Sequence, residues 1–174
     1  MPDLKRLARI APLPLRLIIG YGFFAHGLAK LERGPEHFVS IVHAIGVPFP
    51  EAMAWLTIVV EIIGGLLVLL GALVPLIAVP MLAVLAVAIA TVHLQFGFTS
   101  IKLLDVTPSG PHFGPPGIET DLLYIAGAVT LALGGSGPLA VDNWLLATIS
   151  ATGFVDGLLT LVDPDSLEFA RGLN

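Results

Sequence analysis

The hydrophobic pattern of this chain is one of long apolar runs, not of alternation. Four stretches, residues 12–31, 52–73, 76–96 and 120–139, are each about long enough to cross a hydrocarbon core of about 30 Å, which takes roughly 20 helical residues. The second run, EAMAWLTIVVEIIGGLLVLLGAL, carries one carboxylate, Glu61, near its middle, with Gly64 and Gly65 one turn later. A very short turn, Val74-Pro75, joins the second and third runs, and Pro80 lies early in the third. Glu119 and Asp121 open the fourth, and Gly134-Gly135-Ser136-Gly137-Pro138 closes it, the acid-first and glycine-last order of a helix. The pattern predicts an all-α protein, a transmembrane four-helix bundle.

The connections differ in character. Residues 32–50 hold PEHFVSIVHAIGVPFP, where Phe38, Ile41, Val42 and Ile45 recur at helical spacing, so a short amphipathic helix at the interface is expected. Residues 97–119 are rich in glycine and proline and read as an irregular loop with defined turns. Lys5, Arg6, Arg9 and Arg16 cluster at the start of the first run, which places both termini in the cytoplasm and both long connections outside. The basic leader resembles a signal peptide, but without a convincing cleavage site it reads as a retained first span. Residues 1–142 form one four-span domain. Residues 143–174 read as an extension, an interfacial helix followed by a frayed tail.

Composition supports the membrane reading. Of 174 residues, 56% are apolar and 12% charged, about half the charge of a soluble domain, and mean hydropathy is +0.94. No cysteine is present, which excludes disulfides, cysteine-ligated metals and iron–sulfur clusters. With a net charge of −5 and no basic patch, nucleic acid is not an expected partner.

The candidate chemistry centres on Glu61. A carboxylate near the bilayer midplane must be paired, protonated or buried against protein, and two readings stand: a working group for protons or a ligand, or a structural partner of a buried base. Arg16 is the favoured partner, with snorkelling to the headgroups as its alternative. His26, with Lys30 one turn on, lies in the outer half of the first run and His93 at a matching depth in the third. His26, Glu61 and His93 could converge, yet no HxxxH or ExxH spacing occurs, so no metal is assigned. His112 and Phe113 belong to a structured turn or to a lid over an outward-facing pocket. Three glycine pairs at seven-residue spacing, Gly20/Gly27, Gly64/Gly71 and Gly127/Gly134, each mark one side of a helix, as close packing in membranes requires.

The motifs RLIIGYGFFAHGLAKL and EIIGGLLVLLGAL, with the later GGSGPLAVD, resemble the DoxX/DoxD family of small bacterial membrane proteins over about residues 15–142. The positions carried over are Arg16, Gly20, His26, Gly27 and Lys30, then Glu61, Gly64, Gly65 and Gly71, with Asp142 as the closing acid. The resemblance implies four spans in the bacterial inner membrane and a link to quinone-dependent oxidoreductases with partner proteins. The leading expectation is therefore a membrane subunit of a quinone-linked redox system. Glu61 and His26 are its candidate catalytic residues, Arg16, Lys30 and His93 line the pocket, and quinone is the candidate cofactor. Its expected partners are the bilayer, a redox protein and a second copy of the chain. The alternatives are a small-solute or proton-coupled transporter and a non-catalytic anchoring subunit.

Overall fold

The structure is a computed structural model that describes residues 9–144, so the expectations for residues 145–174 and for the first eight residues lie outside the described residues. The chain is mostly helical. Helix α1 spans Pro12–Glu32, α2 Pro35–Ala44, α3 Pro50–Leu70, α4 Val74–Ala88 and α5 Glu119–Gly134. Helix α4 runs on through a π-helical turn, Ile89–His93, and a 3-10 turn, Leu94–Phe96. The expected amphipathic helix of the first connection is α2, which buries Val42.

The second connection departs from the all-α expectation. Strands β1 (Leu103–Thr107) and β2 (Gly110–Phe113) form an antiparallel hairpin, with Thr107 opposite Gly110 and a register irregularity between Leu103 and Asp105. Thr107 holds the turn, its hydroxyl bonding the carbonyl of Gly110 at 2.9 Å and the hydroxyl of Ser109 at 2.8 Å. The proline and glycine content that read as irregular instead supplies this turn and its flanks. The fourth run also ends earlier than expected, since α5 stops at Gly134 and the GGSGPLAVD segment leaves the helix.

Prolines start four of these elements for one reason. Pro12, Pro35, Pro50 and Pro75 fall at the first or second helical position, where a missing N–H costs nothing and the fixed φ suits a helix. The turn from α3 to α4 is tight. Gly71 at φ +68° and Leu73 at φ +53° both take the left-handed conformation. This otherwise strained turn is held from a distance: the Asp142 carboxylate accepts from the amide of Leu73 at 2.8 Å and that of Val74 at 3.5 Å, and the Asp142 amide donates to Gly71 at 3.1 Å. Asp142 thus caps α4, where a negative charge is also favoured by the helix dipole.

Helix α1 runs antiparallel along α3, and α4 packs between α3 and α5, with α5 returning to α1. The core is formed by Ile19, Phe23, Val60, Val68, Val74, Met81, Leu85 and Leu131. The outward faces are apolar too: Leu17, Ile18 and Tyr21 on α1, Val59, Ile63 and Leu66 on α3, Leu76 and Val79 on α4, and Leu123 and Leu133 on α5 are exposed. In water such a surface would be an association liability; in lipid it is the expected coat. Among the described residues, two helices, Pro50–Leu70 and Val74–Phe96, are long and apolar enough to cross a membrane.

The α1–α3 contact is backbone on backbone. A Cβ on Gly65 would lie 2.5 Å from the Phe24 nitrogen and 2.7 Å from the Gly20 carbonyl oxygen, and one on Gly20 would lie 2.7 Å from the Leu69 nitrogen. Gly127 meets the side chain of Ile19, Gly134 faces nothing within 4 Å and Gly71 is the residue that ends α3, so of the three expected pairs only Gly20/Gly27 lies as a pair on a helix–helix contact, with Gly65 as its counterpart on α3. Gly64 differs from its neighbour, because its Cβ would meet only the flexible side chains of Ile77 and Met81, each at 3.2 Å. Gly65→Ala is therefore expected to destabilise the protein by about 1–3 kcal/mol, and Gly64→Ala by less than about 1.5 kcal/mol. Unfolding of both variants in one detergent checks the contrast, and equal costs would refute the backbone contact.

Candidate functional site

Gly27 brings the polar centre together. A Cβ there would lie 2.9 Å from the Glu61 Cβ and 3.0 Å from the Ile62 nitrogen, so its absence lets α3 press against the C-terminal half of α1. Three residues on, Lys30 reaches back to Glu61. Its ammonium donates to both carboxylate oxygens, at 2.8 and 2.6 Å, and stands 5.1 Å from the centre of the Phe38 ring on α2. Glu61 is 6% exposed and the Lys30 side chain 21%. The pair is thus a charge-assisted, two-point contact in a mostly dry setting.

Arg16 does not pair with Glu61. In the antiparallel register of α1 and α3, Gly20 faces Gly65 and Gly27 faces Ile62, so Arg16 falls beside Leu69. Glu61 lies eight residues back along α3, about 12 Å at 1.5 Å per residue. Arg16 is nevertheless only 3% exposed. Its guanidinium donates to the carbonyls of Leu69 at 2.7 Å, Ser136 at 2.8 Å, Val68 at 3.3 Å and Leu139 at 3.5 Å. Two of these are carbonyls in the last turn of α3, where Val68 also accepts from the Gly71 amide at 3.0 Å. Arg16 is a pin that joins α1, the end of α3 and the GGSGPLAVD segment. The headgroup alternative fails for the same reason, because the side chain points inward.

A second polar pair stands across α4 and α5. His93 Nδ1 lies 2.6 Å from Asp121 Oδ2, with Asp121 7% exposed. The sequence reading treated Asp121 only as a helix-opening acid. Nothing in the local pattern distinguishes it from Glu119, which turns outward and accepts from the Ser100 amide at 2.9 Å.

These groups share one cavity of about 670 Å³. His26, Lys30, Glu61, His93 and Asp121 line it, together with Thr57, Thr91 and Tyr124 and walls from Phe23, Val60, Val84 and α2. His26, Glu61 and His93 all line this one space, with Glu61 held by Lys30 and His93 paired with Asp121, neither of which the expected convergence included. His26 makes no side-chain hydrogen bond among the described residues, which leaves both its ring nitrogens for a ligand. No group of three or more His, Asp or Glu able to hold a metal occurs among the described residues. Pro116 and Gly117 of the second connection close one side of the cavity. His112 and Phe113 stand apart on the exposed hairpin, where His112 approaches Asp105 at 3.4 Å, and neither lines the cavity.

Comparison with known proteins fits this arrangement. The DoxX family model matches residues 11–94, which contain α1 to α4, Lys30, Glu61 and His93. The chain is 35% identical over 136 residues to the protein named "Putative oxidoreductase CatD" from Bacillus subtilis (strain 168), covering 78% of this chain and 87% of that one. The chain belongs to the DoxX family. It is also 32% identical over 150 residues to "Uncharacterized membrane protein Rv3486" from Mycobacterium tuberculosis (strain ATCC 25618 / H37Rv), covering 80% of this chain and 83% of that one. No solved structure matches significantly. This DoxX protein is accordingly a membrane protein, and Asp121 and Asp142 lie beyond the segment that the family model matches.

The two basic residues of α1 have separable roles. In double-mutant cycles on unfolding, Lys30→Met and Glu61→Gln are expected to couple by about 1–3 kcal/mol, whereas Arg16→Gln and Glu61→Gln are expected to add within about 0.5 kcal/mol. Arg16→Gln alone is expected to cost about 2–4 kcal/mol, since several buried carbonyls lose their donor. Strong coupling of Arg16 to Glu61 would contradict the register.

Proposed function

We propose that this DoxX protein is a four-span helical bundle of the bacterial inner membrane, with both termini in the cytoplasm, and the membrane subunit of a quinone-linked redox system. Residues 1–142 are its membrane domain and residues 143–174 an extension. The observation that carries the reading is the cavity of about 670 Å³, apolar over most of its wall and polar where α1, α3, α4 and α5 meet. Its size and lining are those of a small-molecule site with a few convergent polar groups. The name of the Bacillus subtilis relative points the same way.

The residues fit a quinone headgroup. His26, without a side-chain partner among the described residues, is a hydrogen-bond donor for a carbonyl oxygen. The Lys30 ammonium is a donor already oriented by Glu61 and by the Phe38 ring. Apolar side chains such as Phe23, Val60 and Val84 exclude water from a ring and its tail. A bound quinone supplies two-electron, two-proton acceptor chemistry. Glu61 and Lys30 form the proton-exchanging pair beside it, and His26 positions the headgroup. The electrons come from a redox partner protein, because a chain without cysteine offers no thiol relay.

Titration of purified protein in nanodiscs with decylubiquinone tests this reading. Saturable binding is expected, weakened about tenfold in His26→Leu and in Lys30→Met, as loss of one hydrogen bond to a ligand gives. Absence of binding, together with absence of quinone reduction with any co-purifying partner, would overturn it. Solute flux in liposomes that Glu61→Gln abolishes would favour a transporter instead.

A further inference from the structure

The His93–Asp121 pair is not accounted for by the headgroup contacts above. Both residues line the cavity, and both come from elements shaped for the contact. His93 closes the π-helical turn Ile89–His93 that interrupts α4. Such turns shift the residues after them around the helix axis and are frequent at functional sites. Asp121 stands in the first turn of α5, facing the cavity side of α4. An ionised carboxylate only accepts, so the facing Nδ1 carries the ring proton. A neutral imidazole so held presents an unprotonated Nε2, and no other side chain among the described residues bonds it.

We infer that Asp121 is a positioning residue for His93, fixing it in the Nδ1–H tautomer so that Nε2 meets the cavity's ligand as a proton acceptor. The pair then forms a proton-handling station on the α4–α5 wall, separate from Lys30 and Glu61 on the α1–α3 wall. A cavity that exchanges two protons has one station on each wall, and Asp121 does for His93 what a buried carboxylate does in other oriented imidazoles. The alternative, a pair that serves only to join α4 to α5, carries the same Nδ1 proton but leaves Nε2 out of reach of a ligand in the cavity. The inference rests on the cavity as a ligand site, and does not require that the ligand be a quinone.

Nitrogen-15 NMR of histidine-labelled protein in nanodiscs reads the tautomer directly. A protonated Nδ1 and an unprotonated Nε2 are expected for His93, and the opposite tautomer would overturn the inference. Asp121→Asn keeps the side-chain volume but can donate to Nδ1 as well as accept from it, so the Nδ1–H tautomer is no longer enforced, and the same nitrogen-15 spectrum shows which nitrogen holds the proton. With the proton on Nε2, carbethoxylation of His93 by diethylpyrocarbonate, located by mass spectrometry, is expected to slow by about tenfold or more, as a wrong tautomer disables an imidazole. Asp121→Glu restores the carboxylate and is expected to restore much of the rate. An unchanged rate in folded Asp121→Asn with the proton on Nε2 would overturn the inference, and if that variant keeps the proton on Nδ1 or does not fold the wild-type tautomer decides alone. Decylubiquinone protecting His93 from the reagent supports the quinone reading. Lack of protection counts against the quinone and leaves the tautomer result standing.

Discussion

The close approach of α1 to α3 is the constraint on which the rest depends. Where Gly20 and Gly65 face each other, the two backbones touch with no side chain between them. That single contact fixes both distance and register. In an antiparallel pair, fixing one opposition fixes all others, so Arg16 must meet the end of α3 and Lys30 must lie near Glu61. In lipid, where apolar side chains gain little by leaving their surroundings, packing at short range and polar contacts between helices are what hold two helices together. This pair has all of them: glycines in the middle, an arginine pin at one end and an ion pair toward the other.

The two ends serve different purposes. At the Arg16 end every polar group is used up in structure. The guanidinium takes the last carbonyls of α3 and two carbonyls of the segment after α5, and Asp142 of that same segment caps α4 across the left-handed turn at Leu73. A charge there replaces helix-end bonds that water would otherwise supply. At the Lys30 end the polar groups surround a space. Lys30 with Glu61 is a compensated ion pair, and Asp121 is held by a hydrogen bond to His93. Such a space suits an uncharged ligand with polar atoms better than a strongly hydrated anion, since an anion would have to compete with Glu61 for Lys30.

The second connection illustrates how little local composition says about a loop. Glycine and proline announce turns, and a β-hairpin is a turn with flanks. What turns the flanks into strands is pairing between Leu103–Thr107 and Gly110–Phe113, a non-local fact that no periodicity in the stretch discloses. The functional contribution of this connection is not at its tip, where His112 and Phe113 are exposed, but at its base, where Pro116 and Gly117 abut the cavity.

The sequence by itself determined the membrane character, the apolar runs, the short α3–α4 turn and the amphipathic α2, because each is written in local hydrophobicity and in proline and glycine placement. It also singled out Glu61, His26, Lys30 and His93, because a polar residue in an apolar run is conspicuous. It could not assign their partners. Arg16 and Lys30 are both basic residues on α1, and only the register at Gly20 and Gly65 decides which of them stands beside Glu61. Asp121 looked like an ordinary helix-opening acid until α4 and α5 were brought side by side. Partnership between helices is a matter of rotation and offset, and those are set by contacts between residues far apart in the chain.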